Sequence, residues 1–259
     1  MMKSPIAFFD SGVGLLSVLK ETKRLLPKEN FVIFADQINN PYGEKSQSEI
    51  QKFAQKATKF LISNHHIKLM VLACNTATVL AIDYLRRKFK IPFIGVVPAV
   101  KPAALLSKKS RIAIMSTPAT AKSRYLTTLV KNYGEDSKTL KLGCQGLEEA
   151  IEELDYNRIE KLLKKYAKKI KEFDADVVVL GCTHYPLLKP QINKILGPKI
   201  KVIDSGHAVA RRIKDILQEK DLFLQTKLKD IYYTSGNPDK FSNVASSLLK
   251  YNIRAQKVF

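Results

Sequence analysis

Two short runs constrain this chain more than anything else in it. Leu69-Met70-Val71-Leu72-Ala73 and Val177-Val178-Val179-Leu180 are apolar at every position, so neither alternates between a wet and a dry face. Strands of that kind belong in a parallel sheet covered by helices on both sides. Shorter apolar stretches at 6–10, 31–35, 93–97, 111–115, 139–143, 200–203 and 230–234 alternate with helical patterns. The class is therefore α/β. Ser46 with Glu49 spells a capping box for a helix near 47–63, and Thr117-Pro118 reads as an N-cap followed by Pro at the first helical position. Ligands of open α/β sheets bind beyond the carboxyl ends of the strands, so those ends are where chemistry is expected.

The chain also echoes itself. Ile6-Ala7-Phe8-Phe9-Asp10-Ser11-Gly12 matches Ile112-Ala113-Ile114-Met115-Ser116-Thr117-Pro118, 106 positions on. Val71-Leu72-Ala73-Cys74-Asn75-Thr76 matches Val179-Leu180-Gly181-Cys182-Thr183-His184, 108 positions on. Nearly equal offsets at two places predict two similar α/β domains with mostly parallel sheets, related by a pseudo-twofold. The expected division is 98–207 for the second domain and 1–97 for the first, with 208–259 returning to complete it.

Composition sets limits. With 45% apolar and 26% charged residues over 259 positions, the chain is neither disordered nor a disulfide scaffold. No stretch approaches the ~18 apolar residues of a membrane span. The apolar run after Met1-Met2-Lys3-Ser4-Pro5 is too short for a signal-peptide core, so a cytoplasmic protein with Cys74, Cys144 and Cys182 as thiols is expected. The net charge of +20 invites a nucleic-acid partner. The excess, however, is 35 Lys against 9 Arg, dispersed and without interleaved aromatics. Arg is the better fork for phosphates and base edges. A lysine-rich solvated surface is the expectation, and nucleic acid is not.

Each of Cys74 and Cys182 follows an apolar strand and precedes polar residues and a helix-like segment, whose N–H groups and dipole lower a thiol pKa. Two thiols in matching places suggest facing acid/base groups. One removes a proton from carbon while the other delivers one to the opposite face, inverting a stereocentre. The carbanion needs donors aimed at the adjoining carboxylate, for which Asn75, Thr76, Thr183 and backbone amides are candidates. Asp10 ends the first strand before Ser11-Gly12-Val13-Gly14, whose glycines permit a tight turn and close approach of a ligand. Asp36 ends the second strand, ahead of a turn-rich loop Asn39-Asn40-Pro41-Tyr42-Gly43 whose N–H groups suit a carboxylate. His184, two residues after Cys182, suits an acid or orienting role. Cys-x-His lacks further ligands in sequence, with no Cys-x-x-Cys and no His-x-x-x-His, so no metal is expected. His65-His66 reads as charge at a helix end.

These motifs resemble the glutamate racemases of the aspartate/glutamate racemase family. The likeness is carried by Asp10-Ser11-Gly12-Val13-Gly14, Pro41-Tyr42-Gly43-Glu44-Lys45-Ser46, Ala73-Cys74-Asn75-Thr76-Ala77-Thr78, Gly181-Cys182-Thr183-His184-Tyr185-Pro186-Leu187-Leu188 and Ile203-Asp204-Ser205-Gly206, in family order from about 6 to 206. The resemblance implies an isomerase that interconverts L- and D-glutamate without a cofactor, supplying D-glutamate for peptidoglycan, hence cell-wall biogenesis and cell shape. It implies Cys74 as the base toward D-glutamate and Cys182 toward L-glutamate, with Asp10 and His184 supporting. It implies substrate contacts at Asp10, Ser11, Tyr42, Gly43, Asn75, Thr76, Thr183 and His184. It further implies a homodimer, an active site in the cleft between two domains, and a carboxylate, Glu152, near His184. Two positions depart from the pattern: Leu15 where the family has Gly, and Ala35-Asp36-Gln37 where Gly-Asp-Thr is usual. Aspartate racemase is the alternative within the superfamily. A nucleic-acid-associated regulatory protein on this fold is the alternative outside it, with the charge as its only support.

Overall fold

The computed structural model describes residues 4–134, 136–224 and 228–259. Two compact units account for it, Met1–Val96 with Gly206–Phe259, and Val97–Ser205. The first unit opens with β1 (Ile6–Asp10), α1 (Leu15–Leu25), β2 (Phe31–Ala35), α2 (Gln47–His65), β3 (Leu69–Leu72), α3 (Asn75–Lys88) and β4 (Phe93–Gly95). The second holds α4 (Val100–Leu106), β5 (Arg111–Ser116), α5 (Pro118–Lys122), α6 (Arg124–Tyr133), β6 (Lys138–Gly143), α7 (Leu147–Glu152), α8 (Tyr156–Glu172), β7 (Val177–Leu180), α9 (Lys189–Leu196) and β8 (Lys201–Ile203). The chain then returns to the first unit with α10 (Gly206–Glu219), β9 (Ile231–Thr234), α11 (Pro238–Leu249) and β10 (Ala255–Lys257).

Every strand pairing among the described residues is parallel. The first sheet runs β10-β9-β2-β1-β3-β4 and the second β6-β5-β7-β8. The stretch β2-β1-β3-β4 has the same order as β6-β5-β7-β8, which is the echo seen in the sequence. The first sheet adds β9 beside β2, and β10 beyond it. All residues of β1, β2, β3 and β7 are buried, as expected of strands with helices on both faces. In the first unit α1 packs against α10 and α2 against α3.

Local signals act as read. Ser46 Oγ accepts from the Glu49 N–H at 3.3 Å while the Glu49 carboxylate accepts from the Ser46 N–H at 2.8 Å, closing the capping box. Thr117 caps α5 through the Thr120 N–H, with Pro118 at its first position. Neither Gly12 nor Gly14 takes a left-handed backbone, and the Ser11–Gly14 turn is closed by Leu16 N–H to Val13 O and Ser17 N–H to Gly14 O, with Leu15 fully buried. Two readings need correction. β10 lies outside the strands read from the sequence, because Ala255-Gln256-Lys257 is a short polar edge strand with no apolar pattern. His65 is not a solvated charge: it is part-buried, 3.1 Å from the Tyr233 hydroxyl and edge-on to Phe60, and burial, with His66 beside it, lowers its pKa.

The return segment is anchored by a buried ion pair. Lys68 Nζ lies 2.6 Å from Glu29 Oε2 and donates to Leu222 O at 2.6 Å, while Glu29 Oε1 accepts from the Leu224 N–H at 2.9 Å. Removing one partner strands the other charge out of water. Glu29→Ala is expected to cost about 3–5 kcal/mol in urea unfolding, and the paired Glu29→Leu/Lys68→Met replacement far less. Equal losses in the two variants would contradict this account.

Candidate active site

In the first unit the strand ends are drawn together by the Ala73 N–H donating to Phe9 O at 2.7 Å. Cys74 follows at once as the N-cap of α3, in extended conformation and without a side-chain cap. The first turn of α3 holds no acidic residue and the last holds Arg86, Arg87 and Lys88, so its amino end keeps unneutralised N–H groups suited to an anion. Asp10 Oδ1 accepts from the Ser11 N–H at 2.7 Å and the Ser11 hydroxyl at 3.3 Å, and Ser11 Oγ lies 3.9 Å from Cys74 Sγ. Asn75 is 8% exposed, and its Oδ1 meets no hydrogen-bond partner. A buried polar atom left unmatched costs about 1–3 kcal/mol, which a ligand group reaching Asn75 would recover. Thr76 follows it in the same first turn.

The loop after β2 is held from an unexpected quarter. Asp36 accepts from the Tyr42 hydroxyl at 2.6 Å, from Asn39 Nδ2 at 3.0 Å and from the Ser235 hydroxyl at 2.8 Å, and Thr234 Oγ1 donates to Gln37 Oε1 at 2.9 Å. Burial, then the Asp36 charge, holds the Tyr42 phenol protonated far above its ordinary range. With its hydroxyl engaged and its ring buried, Tyr42 offers a ligand its backbone, on the single 3-10 turn Tyr42–Glu44 that also carries Gly43. Ser235 and Thr234 carry no local motif. Only the pairing of β9 with β2 brings them to the loop.

In the second unit the Gly181 N–H donates to Met115 O at 2.7 Å, and a Cβ on Gly181 would stand 3.1 Å from that oxygen and 3.2 Å from Ile114 Cγ2. Glycine lets β5 and β7 close this tightly before Cys182. Cys182, Thr183 and His184 are buried and lead into a short 3-10 turn, Tyr185–Leu188, instead of directly into an α-helix. Cys182 Sγ lies 3.7 Å from His184 Nδ1, and His184 Nε2 lies 2.7 Å from Glu152 Oε1. Glu152 stands on α7, which starts at Gly146 with φ 81°, a left-handed conformation that favours glycine. One turn earlier on the same helix is Glu148, with a carboxylate oxygen within 4.8 Å of both Cys182 Sγ and a His184 ring nitrogen. Glu148 was missed in the sequence, although its i, i+4 spacing from Glu152 was the available signal.

Electrostatics divide the roles. Burial pushes the Cys182 thiol up, against the lowering influence of its contact with His184. This reverses the sequence expectation of a depressed thiol, because desolvation outweighs the helix end. Burial alone would lower the His184 pKa, but the Glu148 charge and the contacts with Cys182 and Glu152 raise it well above the usual value. Cys182 is thus a protonated thiol beside a proton-holding imidazole. Burial raises the Cys144 pKa as well, but its thiol donates to a backbone carbonyl, Leu142 O, at 3.7 Å, with no acid/base side chain like His184 against it. Cys74 in the first unit and Cys182 in the second therefore stand just past the equivalent strand, beside buried polar side chains, a set suited to moving a proton.

Comparison with known proteins agrees with this geometry. Residues 15–213 match the family model for Asp/Glu/Hydantoin racemase. The chain is 40% identical to a glutamate racemase of Roseiflexus over 250 residues, covering 94% of this chain and 92% of that one. The crystal structure of glutamate racemase isoform RacE1 from Bacillus anthracis superposes with a TM-score of 0.88 at 31% identity, covering 100% of this chain and 98% of the other. An aspartate racemase of Picrophilus torridus shares the fold alone, with a TM-score of 0.57 at 18% identity, covering 83% of this chain and 95% of that one. Strand-end thiols, sheet order and sequence together make this chain a member of the Asp/Glu/hydantoin racemase family.

Proposed function

We propose that this protein is a glutamate racemase that works without a cofactor, using Cys74 and Cys182 as its two bases. The observation that carries the proposal is the presence of one thiol in each unit at the equivalent strand end, each with its own polar partners, in a chain whose relatives are glutamate racemases. Cys74 takes the α-proton of D-glutamate and Cys182 delivers one to the other face; the reverse reaction exchanges the roles. Asp10, through Ser11, supports the first thiol, and His184, held by Glu152, supports the second. The amino end of α3, with Asn75 and Thr76, and Thr183 in the second unit supply donors for the charge that develops on the carboxylate as the carbanion forms. The Tyr42-Gly43 backbone receives the other carboxylate. The same reading makes the product D-glutamate for peptidoglycan, the protein a cytoplasmic homodimer, and 1–97 with 208–259 and 98–207 its two domains.

Purified protein is expected to racemise D-glutamate, followed by circular dichroism, with no added pyridoxal phosphate and undiminished by a chelator. The kcat/KM for aspartate is expected to be at least ~100-fold lower, because a shorter side chain leaves polar groups unpaired. Comparable values would favour the aspartate alternative.

Replacing either Cys74 or Cys182 with Ala is expected to abolish turnover of both enantiomers. The two variants should still differ in solvent exchange: Cys182→Ala retains the base for D-glutamate and Cys74→Ala the base for L-glutamate. Cys144→Ala, if folded, stays active. Near-normal turnover by a folded Cys74→Ala or Cys182→Ala protein is incompatible with the two-thiol mechanism.

Glu152→Gln removes one of the groups that hold a proton on His184, so the ring titration seen by NMR is expected to move to lower pH. Loss of an oriented acid/base group worth up to ~100-fold or more should lower kcat by about tenfold, since the imidazole itself remains. An unmoved titration would show that Glu152 does not act through His184.

A further inference from the structure

We propose that Cys182 Sγ, His184 Nδ1 and a Glu148 carboxylate oxygen form a three-ligand site for Zn2+, whose occupation silences the Cys182 thiol. The thiol sulfur, a His184 ring nitrogen and a Glu148 carboxylate oxygen lie within 4.8 Å of one another before any metal is present. The thiol and imidazole are already spaced for it. Zn–S and Zn–N bonds of ~2.3 and ~2.0 Å at a tetrahedral angle put sulfur and nitrogen about 3.6 Å apart, and Cys182 Sγ and His184 Nδ1 are 3.7 Å apart. Glu148 is half-buried on α7, so a modest rotation of its side chain brings an oxygen onto the metal.

The second layer is in place as well. His184 Nε2 is 2.7 Å from Glu152, so the imidazole can place its proton there and its Nδ1 lone pair toward the thiol. That carboxylate–histidine arrangement is the one that orients metal-bound imidazoles. Thiolate, imidazole and carboxylate are the ordinary zinc donors, and three protein ligands leave a fourth position for water. Binding breaks the Cys182 S–H bond and the His184 Nδ1–H bond of the protonated ring, forms Zn–S and Zn–N bonds in their place, and both protons leave to solvent. Two negative ligands balance the charge of the ion in a buried setting. No cysteine pair signals the site in sequence, because the third donor arrives from α7, more than thirty residues before Cys182.

Silencing rests on the racemase reading, since a metal-bound sulfur can neither take nor deliver the α-proton; the binding itself does not. Metal-stripped protein titrated with Zn2+ in a calorimeter should bind one ion per chain, and Co2+ in its place should give the near-ultraviolet thiolate charge-transfer band. Cys182→Ala is expected to abolish that band. Glu148→Ala and His184→Asn, with unchanged far-ultraviolet circular dichroism, should weaken Zn2+ by about tenfold or more. Cys74→Ala should bind as tightly as the unaltered protein while lacking racemase activity. Absence of the Co2+ band in the folded, unaltered protein, a band indifferent to Cys182→Ala, or one that requires Cys74 would each overturn the site. If the metal binds as described but the metal-free protein does not racemise glutamate, the racemase reading fails and the site stands. If it racemises and saturating Zn2+ leaves the rate unchanged, the silencing is overturned.

Discussion

One backbone hydrogen bond, made once in each unit, fixes where the strand-end cysteines Cys74 and Cys182 stand. Ala73 donates to Phe9 O, and Gly181 donates to Met115 O, both at 2.7 Å. Each bond ties the residue before a cysteine to the end of the central strand. Because the strands are apolar and buried on both faces, no alternation of polar and apolar residues sets the register, and the backbone ladders with these closing bonds fix it. The thiols inherit that precision. The strands on the other side of β1 and β5 repeat the pattern: Asp36 N–H donates to Asp10 O and Cys144 N–H to Ser116 O, each at 2.8 Å. Cys144 is thus the counterpart of Asp36, on the far side of the central strand from Cys182.

The two thiols are not copies of each other in chemistry. Cys74 has a serine hydroxyl and, behind it, the Asp10 carboxylate; Cys182 has a histidine flanked by Glu148 and Glu152. The scaffold is repeated while the proton-handling side chains differ. Equal topology with unequal partners lets the surroundings of one thiol differ without disturbing those of the other.

Much of this could be read from the sequence, for identifiable reasons. Fully apolar strands, a capping box at Ser46 and a Thr-Pro helix start are local codes, and each acts over a few residues. Cys74 and Cys182 were visible because strand and cysteine are adjacent in sequence. What stayed hidden depends on distant pairing. Ser235 reaches Asp36 across 199 residues, Glu148 reaches Cys182 from a different helix, and the buried state of the Cys182 thiol reverses the effect that a helix end alone would have. His65 misled for the same reason, since Tyr233, distant in sequence, and Phe60 cover part of its ring.

The parallel pairing of β9 with β2 has a consequence for how the protein is made. A ribosome delivers the chain from its amino end, and domains generally fold as units once their residues have emerged. Val97–Ser205 is contiguous, so all strands of its sheet are present before α10 has been synthesised. The first unit, although it starts the chain, must wait for Thr234 and Ser235 before the Asp36–Tyr42 loop acquires its last hydrogen bonds. The order of synthesis and the order of completion are therefore reversed: the half that begins first is finished last.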